Sequence, residues 1–165
     1  MNIEIKTGTI RHLDAVLGLL DAVQALHVAH VPGFFSPLDP HEVRRWFAAH
    51  LALPPVFLLV ATRAAEVVGY LLFSIEDAPA HVFGPAHHFA TIDQISVDPG
   101  HRRSGVGHAL MEELRVRMRA AGIGELRSEH LGFNEASRAF FDNEGFGVHV
   151  VGRFSRLDDP DVVKP

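Results

Sequence analysis

Residues 91–107 constrain this chain more than any other stretch: Thr91-Ile92-Asp93-Gln94-Ile95-Ser96-Val97-Asp98-Pro99-Gly100-His101-Arg102-Arg103-Ser104-Gly105-Val106-Gly107. Ile92, Ile95 and Val97 are interrupted by polar residues, and this alternation predicts a strand. Asp98-Pro99-Gly100 ends it, because proline has no N–H to donate and glycine accepts turn dihedrals. Arg-x-x-Gly-x-Gly follows and runs directly into an amphipathic helix. Gly105 and Gly107 lack a Cβ, so backbone can approach a ligand closely there. The first N–H groups of a helix have no intrahelical acceptor, and its dipole is positive at that end. A strand, a glycine turn and a helix N-terminus in this order make an anion site suited to a pyrophosphate.

The 165 residues are enough for one domain with a real core. Apolar residues at 47% and charged residues at 21% exclude a disordered chain. The net charge of -5, from 15 basic and 20 acidic residues, comes with no long basic run, which argues against a nucleic-acid surface. The absence of cysteine rules out disulfides, thiolate metal sites and a cysteine nucleophile. Met1-Asn2-Ile3-Glu4-Ile5-Lys6 alternates like a strand rather than a signal peptide, and no apolar run reaches the roughly 18 residues of a membrane span. The expected location is the cytoplasm. His27 and His30 lie three apart on a helix face and His87-His88 are adjacent, but neither pair has a carboxylate in a ligand pattern. Solvated or locally bonded histidines are expected, and no metal.

Residues 2–7 predict a first strand. Leu13, Val16, Leu17, Leu20, Val23 and Leu26 recur at helical spacing and predict a helix over 13–28. Two prolines and a glycine within residues 30–37 break it. Asp39 as N-cap and Pro40 at the first helical position start a second helix to about Ala52, with Val43, Trp46, Phe47 and Leu51 on one side. Val56 to Ala61 is apolar throughout, as in a strand buried on both faces. Ala64-Ala65 turns the chain into a hairpin partner over 66–75, and residues 77–85 read as a loop. A strand over 90–97 leads into the glycine turn. The helix over 104–121 buries Val106, Ala109, Leu110, Leu114, Met118 and Ala121, turns Glu112, Arg115 and Arg119 to solvent, and is capped by Gly122. A strand over 125–130, a helix from the Asn134 cap through Asn143 stopped by Gly145, and a weakly alternating strand over 146–154 complete the order. The tail over 158–165 reads as frayed. There is no repeat and no linker.

Three ordered pieces carry a resemblance to the GNAT (Gcn5-related N-acetyltransferase) superfamily. Arg102, Gly105 and Gly107 fill its Arg/Gln-x-x-Gly-x-Gly/Ala coenzyme A motif. Asn134-Glu135-Ala136-Ser137 resembles its Asn-x-x-Ala, and Phe140-Phe141-Asp142-Asn143-Glu144-Gly145-Phe146 resembles its Phe-Tyr-x-x-x-Gly-Phe. The likeness is strong over residues 66–154. Periodicity alone predicts an α/β or α+β domain. The resemblance implies a mixed, mostly antiparallel central sheet flanked by helices, in the order β-α-α-β-β-β-α-β-α-β, splayed to hold acetyl-CoA between two strands.

The resemblance further implies acetyl transfer from acetyl-CoA to a primary amine of a small molecule or peptide, with no metal. Arg103, Ser104, Gly105, Val106, Gly107 and His108 would present amides to the pyrophosphate, and Arg102 or Arg103 would add charge-assisted contacts. Ile95 and Val97, with Ser96 between them, would receive the pantetheine arm as an added strand, and the Val97 N–H would face the thioester carbonyl. Asn134, Ser137 and Phe141 would also border the cofactor. Asp93, two residues from Ile95 and so expected on its face, is a candidate base. It reads equally as a structural carboxylate, and Glu129 and His130 are alternatives. Phe34, Phe35 and Trp46 are candidate acceptor walls, or plain core. Phe141 departs from the family, which places a tyrosine there as acid to the leaving thiolate. Water, Ser137 or another group would then protonate the thiolate, or it would leave unassisted.

That departure keeps open a second reading, a CoA-binding sensor or partner module without transfer. A phosphate or nucleotide domain of another kind is a third, but the chain lacks both the Lys-Ser/Thr of a P-loop and a Gly-x-Gly-x-x-Gly. Net acidity favours a cationic acceptor. Many members of the family pair, so a homodimer is admitted.

Overall fold

In the computed structural model, which describes residues 2–153, Val56–Ala61 is apolar at every position because helices cover both sides of the sheet it enters. Five strands form that sheet in the order β1 (Glu4–Thr7), β2 (Val56–Arg63), β3 (Glu66–Ala78), β4 (His87–Val97) and β5 (Leu126–Ser128). The first four pair antiparallel, and β4 pairs β5 in parallel. The β2–β3 turn places Ala64 and Ala65 at φ 51° and 68°. That is the left-handed, two-residue turn whose twist suits a hairpin.

The helices are α1 (Leu13–His30), α2 (Pro40–Leu51), α3 (Val106–Ala120) and α4 (Glu135–Asn143). Leu13, Val16, Leu19 and Leu20 of α1 and Phe47 of α2 form one core with Leu58, Val60, Tyr70 and Leu72 of the sheet. The Tyr70 hydroxyl donates to Gln94 Oε1 at 3.0 Å, and burial pushes its phenol pKa well above the ordinary value. Tyr70 is a structural tyrosine. The start of α2 follows its sequence signals, Asp39 accepting from the amides of His41 and Glu42 ahead of Pro40.

The opposite face carries α3, whose Val106, Leu110, Met111, Leu114 and Met118 are buried. Its N-terminus can approach because β3 has Gly69: a Cβ there would lie 2.9 Å from Val106 Cγ1 and 3.1 Å from the Ser96 carbonyl oxygen. Its far end closes on Gly122 at φ 75°, with Ile123 N–H bonded to the Met118 carbonyl. This double-bonded helix stop seats Ile123, itself buried, beside the last turn.

The chain divides after Phe133 into two units. In the second, Asn134 caps α4 through the Ser137 amide at 3.0 Å. Gly145 ends it in the same double-bonded way, Phe146 N–H reaching the Phe141 carbonyl while the two rings meet at 5.1 Å.

Several expectations need correction. The loop over 77–85 is shorter than expected, since β3 runs to Ala78 and β4 begins at His87. Helix α3 starts at Val106 and ends at Ala120, leaving Ala121 exposed, and Leu26 of α1 is exposed as well. The strand over 125–130 shrinks to three residues. The strand over 146–154 is absent from described residues 146–153, where Val148, Val150 and Val151 are exposed. Gly147 and Gly152 weaken a strand there, and alternation is no force without a face to bury. Residue 154 and the tail over 158–165 lie outside the described residues. A Gly69→Ala variant should lose about 1–3 kcal/mol of stability by overpacking against Val106 and Ser96, read as a lowered urea midpoint.

Candidate active site

Strand β4 pairs with β3 along its whole length, from His87 to Val97, but with β5 only over Ala90–Ile92. Asp98 donates its amide to the Val68 carbonyl at 2.9 Å. Amides alternate along a strand, so Ser96 and Gln94 also turn theirs to β3. Ile95 and Val97 turn theirs to the edge that β5 has left. The Val97 carbonyl shares that edge, where Arg102 Nε donates to it at 3.2 Å. Ser96 does not reach it: its buried hydroxyl donates to the Leu19 carbonyl at 3.4 Å across the α1 side. Ile95 and Val97, the two residues expected to bond a pantetheine arm through backbone, both present amides at the open edge.

The turn beyond Val97 is built by Asp98. Its carboxylate accepts from the Gly100 amide at 2.8 Å and from His101 Nδ1 at 3.0 Å, and the His101 bond chiefly holds its pKa below the ordinary carboxylate value. Ser104 Oγ is turned inward, donating to the His101 carbonyl at 2.6 Å. Arg103 at φ 57° and Gly105 at φ 85° are left-handed. Gly105 is the N-cap of α3 and has no side chain to satisfy the first-turn amides. The amides of Val106 and Gly107 are therefore donors for an outside acceptor. A left-handed residue followed by a helical one also turns successive amides to one side, the geometry of an anion nest. His108 follows on an exposed position, where its charge bears on Glu112.

Asp93 is not on the face of Ile95 and Val97. The register shifts between Leu72 and Phe73: Leu72 faces Gln94 while Phe73 faces Ile92, so Asp93 is an extra residue with no partner of its own. This β-bulge resets the alternation. The Asp93 carboxylate accepts a hydrogen bond from Ser74, and its charged neighbours are Glu76 of β3 and His50 of α2. It stands on the face covered by α1 and α2, open to solvent on one side. Desolvation raises its pKa first, and Glu76 adds to the rise, while the Ser74 bond and His50 oppose it.

The remaining candidates separate into distinct groups. Trp46 stacks on His50, the α2 residue whose charge bears on Asp93, with centroids 3.9 Å apart. Phe35 meets His27 at 4.9 Å and Phe34 at 5.0 Å, and His30 stacks on Phe133 at 4.3 Å, near the end of α1. Burial lowers the His27 pKa. Phe34 is exposed and Phe35 half-buried, so the pair is not plain core. Glu129 and His130 lie in an exposed stretch after β5, His130 bonding the Leu131 carbonyl, and neither is among the groups that act on Asp93. Asn134, Ser137 and Phe141 belong to the second unit, Phe141 buried there against Phe146.

Sequence reasoning missed His50, Ser74 and Glu76. The available signal was the change from Leu71-Leu72-Phe73 to Ser74-Ile75-Glu76, where a buried strand begins to alternate. Because the folded environment raises the Asp93 pKa, the ionised carboxylate opposes folding above that pKa, and protonation on acidification removes the opposition. Asp93→Asn should therefore raise the Tm at neutral pH, with the difference vanishing below the ordinary carboxylate range, as thermal melts across pH would show.

The acetyltransferase (GNAT) family model matches residues 23–146. A [ribosomal protein bS18]-alanine N-acetyltransferase of Escherichia coli K12 is 34% identical over 64 residues, which is 39% of this chain. The chain spans 43% of the length of that curated relative. Among solved structures, a Bacillus halodurans protein crystallised as a tetramutant superposes with a TM-score of 0.85 at 20% identity, covering 93% of this chain and 99% of that one. The aminoglycoside 6′-N-acetyltransferase of Acinetobacter haemolyticus superposes at 0.73 with 22% identity, covering 96% and 100%. These two likenesses are of fold. The family match over most of its length sets the place of this chain: it belongs to the GNAT acetyltransferase family.

Proposed function

We propose that this protein is an acetyl-CoA-dependent N-acetyltransferase that transfers the acetyl group to a primary amine of a small molecule or peptide by direct attack on the thioester. The observation that carries the reading is the continuity of two donor sets. The open-edge amides of Ile95 and Val97 lead through the Asp98 turn into the uncapped start of α3 at Gly105. A ligand with an amide-bearing arm and a pyrophosphate needs donors in that order. Arg102 and Arg103 would add cationic contacts to phosphate, and the Val97 amide would polarise the thioester carbonyl. Acetyl-CoA supplies an activated acyl carbon. The chain would hold it, exclude competing poses and manage the protons. The relatives named for ribosomal protein bS18-alanine and for an aminoglycoside fit an amine acceptor, which would enter on the Asp93 face.

Phe141 favours a second reading, a CoA-binding module with little or no transfer, because the family pattern expects a tyrosine there and a phenyl ring has no proton to give. Two measurements separate them. Acetyl-CoA titrated calorimetrically should bind the unaltered protein and fail to bind Gly105→Glu, where a carboxylate replaces the open space beside the turn. Gly105→Asn, uncharged and tolerant of positive φ, should retain most affinity. Absence of binding to the unaltered protein would overturn both readings. Phe141→Tyr should raise the rate of amine-dependent thiol release by part of the ~10²–10⁴ available to acid–base catalysis. Unchanged or lower turnover with intact cofactor affinity would show that the site does not lack an acid.

A further inference from the structure

We propose that His50 is the proton acceptor of the acceptor half of the site, working beside Asp93, an inference that rests on the transfer reaction proposed above. His50 is placed there by backbone. Its carbonyl accepts from the Leu53 amide at 3.1 Å, and the Leu53 carbonyl accepts from Val56 at 3.1 Å. Val56 is paired with Ser74, whose hydroxyl bonds Asp93. The last turn of α2 is thus tied through the start of β2 to the bulge in β4.

The tautomer of His50 is set as well. Nδ1 lies 2.8 Å from the Trp46 carbonyl oxygen. A carbonyl can only accept, so Nδ1 carries the hydrogen and the neutral ring keeps its lone pair on Nε2. The indole of Trp46, partly exposed, stacks on the ring and supplies an apolar wall beside it. Among the described residues, one charged group besides His50 acts on Asp93. From β3 comes Glu76, whose Oε1 accepts from the Thr91 hydroxyl at 2.5 Å. From β4 comes Asp93 itself. An alkylammonium bound beside these side chains would meet two carboxylates and one imidazole nitrogen able to take its proton.

The protons balance. The ammonium gives one proton to His50 Nε2, which returns it to solvent after turnover. The freed nitrogen pair forms the C–N bond as the C–S bond breaks. The second nitrogen proton ends on the departing sulfur. Histidine suits the first of these tasks because its ordinary charge change falls between pH 5 and 8.

His50 could instead serve only to tie off the end of α2, and His50→Asn tells the two apart. The asparagine amide can still donate to the Trp46 carbonyl, but it cannot take a proton. With the primary amine that gives the fastest thiol release, kcat/KM should fall by about 10²-fold or more and lose its acidic limb. The melting temperature and the acetyl-CoA affinity should stay near those of the unaltered protein. The Asp93 carboxyl, followed by carbon NMR, should titrate at higher pH in His50→Asn, because a neighbouring cation has been removed. Full activity with an unchanged pH profile, or an unmoved Asp93 titration, would overturn the assignment. A protein that binds acetyl-CoA but releases no thiol with any amine would overturn the transfer reaction and the base role together. A protein that turns over normally as His50→Asn would overturn the base role alone.

Discussion

A strand has two edges, and β4 pairs its second edge for only three residues. Beyond Ile92 the amides of Ile95 and Val97 have left the ladder, and backbone groups of this kind must find water or a ligand. The same departure governs the turn. Because β5 runs parallel to β4, the connection must cross over through a helix, and α3 has to begin beyond the carboxyl end of β4. The open edge and the helix N-terminus are therefore consecutive along the chain, separated only by the segment that Asp98 ties together. Gly69 completes the arrangement, since α3 reaches the sheet at Val106 only where a neighbouring strand has no side chain.

The bulge at Asp93 has a different consequence. Strand side chains alternate, so a continuous ladder would have put Asp93 with Ile95 and Val97, beneath α3. One extra residue moves it to the side of Ser74, Glu76 and His50 instead. The donors suited to a cofactor and the groups suited to an amine then lie on different aspects of one strand. The raised pKa of Asp93 reflects the cost of that position: burial strips water from the carboxylate and Glu76 adds to the rise, while the Ser74 hydroxyl and His50 offset only part of it.

What was legible in the sequence follows from what one-dimensional patterns can encode. Asp39-Pro40 and Asn134 announce helix starts because capping is a local contact, and both cap as expected. The apolar run of β2 and the glycine turn are equally local. The Asp93 bulge was not legible, because period-two alternation has no mark for an inserted residue and Asp93 lies between polar and apolar neighbours either way. His50 was missed for a related reason. On α2 it reads as one more polar residue in a helix that ends there, and its importance lies in Ser74 and Asp93, which reach it only through sheet pairing. The strand expected over 146–154 failed in the opposite direction, local alternation being present without a surface to bury it.

The proton chemistry of the proposed transfer is unequal at its two ends. An ordinary alkylamine with a pKa of ~10.4 must be stripped of a proton at pH 7 against about 4–5 kcal/mol, whereas releasing the sulfur as a thiolate, its thiol titrating at ~8.5, costs only about 2 kcal/mol relative to the thiol. A site can therefore dispense with an acid for the sulfur at far smaller cost than with a base for the nitrogen. The chain follows that asymmetry. At Phe141, where the family resemblance expects a hydroxyl, it has a ring packed on Phe146. Within the sheet unit, around the proposed base, it gathers Asp93, Glu76 and an imidazole whose Nδ1 is already committed to a carbonyl. A phenylalanine at that position is then no sign by itself of a lost activity, because the larger of the two proton problems is the one the proposed base would meet.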